Sequence, residues 1–199
     1  MRVCIDPGHG GTDPGAIGVK PFELREKDFN LAVALLLEEQ LVARGFEAVL
    51  TRRQDRTLSL SARAGFANRH GAGLFLSIHA NAAAAPSAEG MEVFHFPESS
   101  AGKAWAKPIL KNLLAAFPDH RNRGVKEANF TVLRLTHMPA ALVECEFLSS
   151  PKQLRFLAKA GNQCRIAQAI ADALLPPVVT RLRFAARTRR SHDRPRPAG

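Results

Sequence analysis

The stretch Leu74-Phe75-Leu76-Ser77-Ile78-His79 constrains the fold of this chain more than any other. Gly71-Ala72-Gly73 breaks the chain just before it, and the run is too short for an ordinary helix. It reads as a strand covered on both faces, the kind found between two helical layers. The rest of the chain supplies what such a strand requires. Residues 2–6 form a second strand, with Val3 and Ile5 alternating before Pro7-Gly8 ends the run. Residues 47–51, 91–96 and 140–147 are further strands. Helices are expected over 28–44, 58–70, 100–117 and 151–175, the first capped by Asp28 and closed by Gly45 at the C′ position. Strands alternating with helices predict the α/β class: a single-domain layered fold with a mostly parallel, twisted sheet flanked by helices.

At 199 residues the chain suits one well-buried domain. No apolar stretch approaches the roughly 20 residues that span a bilayer, so no transmembrane segment is expected. The chain opens on a strand rather than on a basic segment followed by an apolar one, and no secretory signal is legible. Cys4, Cys145 and Cys164 make no disulfide framework and read as small apolar residues. Cys145 could act as a nucleophile beside Glu144 only if the two shared a face, and successive strand residues do not.

The charge is uneven. Residues 181–199 hold seven Arg and one Asp, a net +6 of the chain's +10. With Pro176-Pro177 ending the last helix, the expected division is a body over 1–176 and a basic, partly disordered tail over 177–199. Within that tail Val178, Val179, Leu182 and Phe184 alternate with arginine, a pattern suited to an anionic surface. One Phe and no stacking array argue against nucleic acid.

Four fragments carry the chemistry: Ile5-Asp6-Pro7-Gly8-His9-Gly10-Gly11, Glu26-Lys27-Asp28, Ser77-Ile78-His79-Ala80-Asn81 and Val143-Glu144-Cys145-Glu146-Phe147. Each sets a His or a carboxylate at the edge of an apolar segment, where strand ends and helix starts converge. His9 and His79 both follow strands, so a parallel sheet can bring them to one edge. Glu26, near the start of the first long helix, reaches the same edge, and Glu23 competes with it. Taken alone, an acidic group there would be explained by the helix dipole. Two histidines with a carboxylate also form a zinc ligand set that leaves a position for water. Glu144 lies in an apolar strand, where a carboxylate is costly without a partner. That partner is either a water activated by a metal, which makes Glu144 a general base, or an arginine such as Arg134. The Gly8–Gly11 loop fits no nucleotide fingerprint and reads as a tight turn that exposes His9 and admits substrate to the backbone. Of the remaining histidines, His70, His95, His120, His137 and His192, only His95 is expected to face a cleft.

Further fragments extend the pattern. They include Asp13-Pro14-Gly15-Ala16, Asn30-Leu31, Thr51-Arg52, Leu60 with Arg63, Ala67-Asn68 and Gly90-Met91-Glu92-Val93. Arg123-Gly124-Val125, Asn129-Phe130, Val132-Leu133-Arg134 and Met138-Pro139 follow before Leu142-Val143-Glu144. In this order, from Arg2 to about Leu157, the chain resembles the zinc-dependent N-acetylmuramoyl-L-alanine amidases of the third type. One departure is Glu146, where that family usually has a small residue. The resemblance implies Zn2+ held by His9, Glu26 and His79, with Glu144 as the catalytic base. It favours Glu26 over Glu23, because Glu26-Lys27-Asp28 matches and Glu23 falls in a variable stretch. It implies peptidoglycan as substrate, cut between N-acetylmuramic acid and L-alanine at the bacterial cell wall or periplasm by a monomer. An exported wall enzyme should carry a signal, so either one has been removed from the sequence or the protein crosses the membrane by another route, as a phage-type endolysin does through a holin. Only 64 residues separate His79 from Glu144, too few for the inserted autoinhibitory helix of some relatives. Two other readings are a non-catalytic wall-binding module of the same fold and a zinc carboxypeptidase. The latter normally shows a His-x-x-Glu pair, and Thr12 stands in the place of that Glu.

Overall fold

β1 (Arg2–Pro7) and β5 (Leu74–Asn81) lie side by side inside a six-stranded sheet. The structure is a computed structural model that describes residues 1–18 and 20–175. The other strands of the sheet are β4 (Glu47–Leu50), β6 (Met91–His95), β7 (Asn122–Glu127) and β8 (Ala140–Phe147). A separate two-stranded ribbon pairs β2 (Ile17–Gly18) with β3 (Leu24–Arg25). In the main sheet the order is β4-β1-β5-β8-β6-β7. Four of its pairings are parallel, and only β6 against β8 is antiparallel. The mostly parallel α/β sheet is therefore present, with one reversal. That reversal has a consequence for the site: β6 and β7 enter the sheet at the edge where β1, β5 and β8 leave it.

The helices are α1 (Glu26–Ala43), α2 (Leu60–Arg69), α3 (Ser100–Ala116), α4 (Thr131–Arg134), α5 (Pro151–Leu157) and α6 (Ala160–Ala173). Side-chain alternation along the strands divides the core in two. Val3, Ile5, Leu76, Ile78, Val143 and Cys145 pack with α1, α3 and α6, through residues such as Leu37, Ile109 and Ile170. Cys4, Phe75 and Leu142 face the other way, onto Ala67 of α2 and Val132 and Leu133 of α4. Covering both faces explains why 74–79 carries almost no polar residue. Gly45 follows α1 at a φ of 81°, the left-handed conformation of a C′ glycine. Ser59 caps α2 by accepting from the Ala62 amide at 3.2 Å.

Three expectations need correction. The helix expected over 151–175 is two helices, α5 and α6, because Lys159 turns to an extended ψ of 117° between them. The turn lets α5 bury Leu154 and Leu157 while α6 lays Ile166 and Ile170 against the main core. α1 begins at Glu26, not Asp28, and its N-cap residue Arg25 makes no side-chain cap. β7 was not expected at all: Asn122-Arg123-Gly124-Val125-Lys126-Glu127 is polar because it is an edge strand. Among the described residues no helix is long and apolar enough to cross a membrane. The tail over 177–199 lies outside the described residues.

Candidate metal centre and active site

Two buried arginines shape the loop after β1. Arg52 donates from Nε to the Pro7 carbonyl at 3.0 Å and from Nη2 to Gly8 and Lys27 carbonyls at 2.9 Å each. Arg63 donates to the Pro7 carbonyl at 2.7 Å and to the His9 carbonyl at 2.5 Å. It also pairs with Asp6 at 2.9 Å, both side chains being almost fully buried. These donors hold His9 at a φ of 59°, a left-handed conformation that costs a non-glycine residue about 1–3 kcal/mol. The resulting turn points the ring back toward α1.

There His9, Glu26 and His79 meet, with one ligand-type atom from each lying within 4.8 Å of the others. His9 Nε2 is 3.2 Å from Glu26 Oε2, and His79 Nδ1 is 2.9 Å from Glu26 Oε1. Donors bonded tetrahedrally to a cation at ~2.0–2.2 Å would lie ~3.4 Å apart, so these separations suit a shared metal ion. The opposite nitrogen of each ring is also engaged. His9 Nδ1 bonds Asp13 Oδ2 at 2.8 Å, and His79 Nε2 bonds Ser77 Oγ at 3.1 Å. Ser77 Oγ in turn donates to Asp6 Oδ2 at 2.9 Å. Such outer contacts fix ring orientation and leave the inner nitrogens to a ligand.

Glu26 sits in the first turn of α1, where the backbone presents positive charge. It accepts from the amides of Ala16 at 2.9 Å and Ala80 at 3.2 Å. Burial works to raise its carboxyl pKa, but bonds to His79 and His9 outweigh burial and hold it well below the usual range. The same bond to Glu26 raises His9, with burial opposing. A carboxylate kept ionised between two imidazoles is a donor set that can hold a cation. Glycine is essential to the packing: a Cβ on Gly8 would stand 2.2 Å from His79 Cε1. The loop glycine thus admits the ring of His79, a different close approach from the substrate contact expected of it.

Glu144 faces His79 directly across the β5–β8 pairing. Its Oε2 is buried without a hydrogen-bond partner among the described residues. Burial, then the charges of Glu26 and Glu92, push its carboxyl pKa well up. Arg134, the alternative partner, bonds Asn129 Oδ1 at 2.6 Å instead. Glu23 is exposed and pairs with Arg25, away from the cluster. Cys145 packs on the opposite face, and burial pushes its thiol well up, which is unsuited to a nucleophile.

Glu146 does not stand ready beside Glu144. It is fully buried and accepts from the Gly90 amide at 2.8 Å and from His120 Nδ1 at 2.7 Å. It ties down the turn that enters β6, so it cannot stand in for Glu144. His95 lines no cleft: it is buried, with Nδ1 bonded to its neighbour's carbonyl at Phe96. Sequence reasoning assigned no role to Asp6, Asp13, Ser77 or Glu92. Glu92 had a readable signal, since a carboxylate amid Met91 and Val93 raises the same question as Glu144.

Residues 3–175 match the profile of a family described as N-acetylmuramoyl-L-alanine amidase. The chain belongs to that family. The amidase is 36% identical over 176 residues to N-acetylmuramoyl-L-alanine amidase CwlM of Bacillus licheniformis, which covers 87% of this chain and 67% of CwlM. It is 40% identical over 172 residues to LytC of Bacillus subtilis strain 168, covering 85% of this chain and 34% of LytC. AmiA of Escherichia coli K12 is 32% identical over 217 residues, covering 87% of this chain and 74% of AmiA. The chain thus spans from 34% to 74% of the length of these relatives. Among solved structures, the catalytic domain of CwlV from Bacillus (Paenibacillus) polymyxa var. colistinus superposes with a TM-score of 0.80 at 40% identity, covering 86% of this chain and 94% of that one. AmiC2 of Nostoc punctiforme gives 0.82 at 36% identity, covering 87% and 94%. The amidase is therefore a hydrolase by family, with the fold of the amidase catalytic domains.

Proposed function

We propose that this amidase uses zinc to hydrolyse the amide between N-acetylmuramic acid and L-alanine in peptidoglycan. The observation that carries the reading is a His9–Glu26–His79 cluster whose cross-strand neighbour, Glu144, has a buried oxygen with no partner among the described residues. His9, Glu26 and His79 would hold the ion, while Asp13 and Ser77 keep the two rings aligned. Zinc, when bound, polarises the substrate carbonyl and lowers the pKa of a water towards ~7. Glu144 would take a proton from the attacking water and deliver it to the alanine nitrogen as the amide bond breaks. The bacterial cell wall is the place of action, and the Arg-rich tail draws the enzyme to an anionic envelope surface.

The test is incubation of the zinc-loaded protein with purified peptidoglycan, followed by mass analysis for newly freed N-terminal L-alanine. No activator should be needed, because β6, α3, β7 and α4 use most of the chain between β5 and β8. Glu144→Gln should lose about 10²–10⁴-fold in rate at unchanged zinc content. His79→Ala should lose the metal. Absence of the product, or near wild-type turnover in Glu144→Gln, would refute the reading.

A further inference from the structure

Beside Glu144 the sheet carries a charge cluster that the hydrolysis itself does not use. His79, Glu144 and Glu92 form one row across β5, β8 and β6, each facing the next in register. Glu92 is almost wholly buried and receives three donors. Asn81 Nδ2 bonds Oε1 at 2.7 Å, Arg123 Nε bonds Oε2 at 3.2 Å, and Lys126 Nζ bonds Oε2 as well. One cation would neutralise the buried carboxylate. Two give Glu92 more cationic partners than its own charge requires, next to the place where the scissile amide would lie.

Both cations remain reachable, with 28% of the Arg123 side chain and 40% of the Lys126 side chain exposed. Both are also braced. The Arg123 guanidinium rests 4.8 Å from the Phe147 ring centre, and Lys126 Nζ lies 5.8 Å from that of Phe94. Bracing reduces the conformational freedom that binding would otherwise have to remove. Among the described residues Arg123 uses Nε and Nη1 in hydrogen bonds and leaves Nη2 to a ligand. An anionic group approaching this row would be repelled by Glu144 and Glu92, and the exposed donors of Arg123 and Lys126 are what it would meet in their place.

Resting on the amidase reading above, we propose that Arg123 and Lys126 form a subsite for a free carboxylate of the stem peptide, on the residue that follows L-alanine. Reach selects that residue. Arg123 and Lys126 belong to β7, two strands from Glu144, and reach back to Glu92 on β6. With facing side chains on adjacent strands about 5 Å apart, their charged ends lie about one strand spacing and a hydrogen bond beyond Glu144. Two extended residues span at most ~7 Å, so the α-carboxylate of the second residue comes within hydrogen-bonding range of them. In peptidoglycan that residue is D-glutamate, whose α-carboxyl is either free or amidated. The subsite therefore makes the enzyme selective for stems in which it is free.

The experiment uses the zinc-loaded enzyme on two disaccharide muropeptides with identical full stems, one carrying D-glutamate and the other its α-amide, D-isoglutamine. Charge-assisted bonds predict that kcat/KM for the free acid exceeds that for the amide by about tenfold or more, chiefly through KM. Lys126→Met should reduce that preference to near unity while zinc content stays one per chain, and Lys126→Arg should restore part of it. Equal cleavage of both stems by wild type, or an intact preference in both Lys126→Met and Arg123→Met, would overturn the subsite alone. Cleavage of neither stem would refute the amidase reading itself, and the subsite with it.

Discussion

Arg63 offers the sharpest test of how the scaffold supports the cluster. Its guanidinium is buried and serves four acceptors: Asp6 Oδ1 at 2.9 Å and the carbonyls of Pro7, His9 and Leu58 at 2.7, 2.5 and 3.3 Å. Arg63→Met keeps much of the stem's apolar volume and removes every one of these bonds. Asp6 would then remain a buried carboxylate with Thr51 and Ser77 as its donors. Breaking a buried pair on one side costs about 3–5 kcal/mol. For a chain of this size that is a fall in melting temperature of roughly 6–20 °C. The His9 carbonyl also loses the donor that holds its left-handed turn, so metal affinity should drop about 10–100-fold, as for other outer contacts of ligand residues. Urea unfolding of the metal-stripped protein measures the first effect, and chelator competition with zinc measures the second. Adding Asp6→Asn should recover part of the stability without recovering the metal affinity. A stability loss under about 1 kcal/mol would show that the pair is compensated by neighbours, and unchanged zinc affinity would show that His9 is held by other means.

Three further outcomes are expected. Gly8→Ala should retain the fold and lose zinc, because its Cβ would stand 2.2 Å from His79 Cε1 and push that ring off Glu26; circular dichroism with metal analysis checks both. Asp55 is held below the usual carboxylate range by a hydrogen bond from Lys27, then by the Gly11 amide, so it contributes stability above its unfolded pKa of ~3.9. The gap in unfolding midpoint between wild type and Asp55→Asn should be constant from neutral pH down to about 5 and close as pH falls through the lowered folded value; a gap that stays open there would contradict the assignment. Truncation after Pro177 should leave cleavage of soluble muropeptides unchanged and weaken binding to anionic vesicles, most at low salt; equal binding by both forms would reduce the tail to a solvated extension.

The local patterns of this chain made much of the fold legible. Alternating or continuous apolar runs marked β1, β4, β5, β6 and β8, and helical apolar faces marked most helices, because each pattern reports what a single element must bury. The fragments around His9, Glu26, His79 and Glu144 were legible as ionisable groups at element ends, and the family resemblance assigned them roles. Periodicity could not reveal β7, because an edge strand is half solvated and Asn122–Glu127 has no apolar alternation to detect. Nor could it foresee the break at Lys159, which is set by where α5 and α6 must pack rather than by local propensity.

What the sequence determined by itself is thus the set of elements and the chemistry at their ends. Only the tertiary structure decided which ends meet. Strand order sets His79 opposite Glu144 and Glu144 opposite Glu92, although 64 residues separate the first pair in the chain and 51 the second. The same order tells two neighbouring glutamates apart. Among the described residues Glu144 keeps a buried oxygen without a partner, while Glu146, two residues on, is consumed by Gly90 and His120. The reason is physical: a carboxylate's role depends on the donors and charges that surround it, and in a parallel sheet those come from strands distant in sequence.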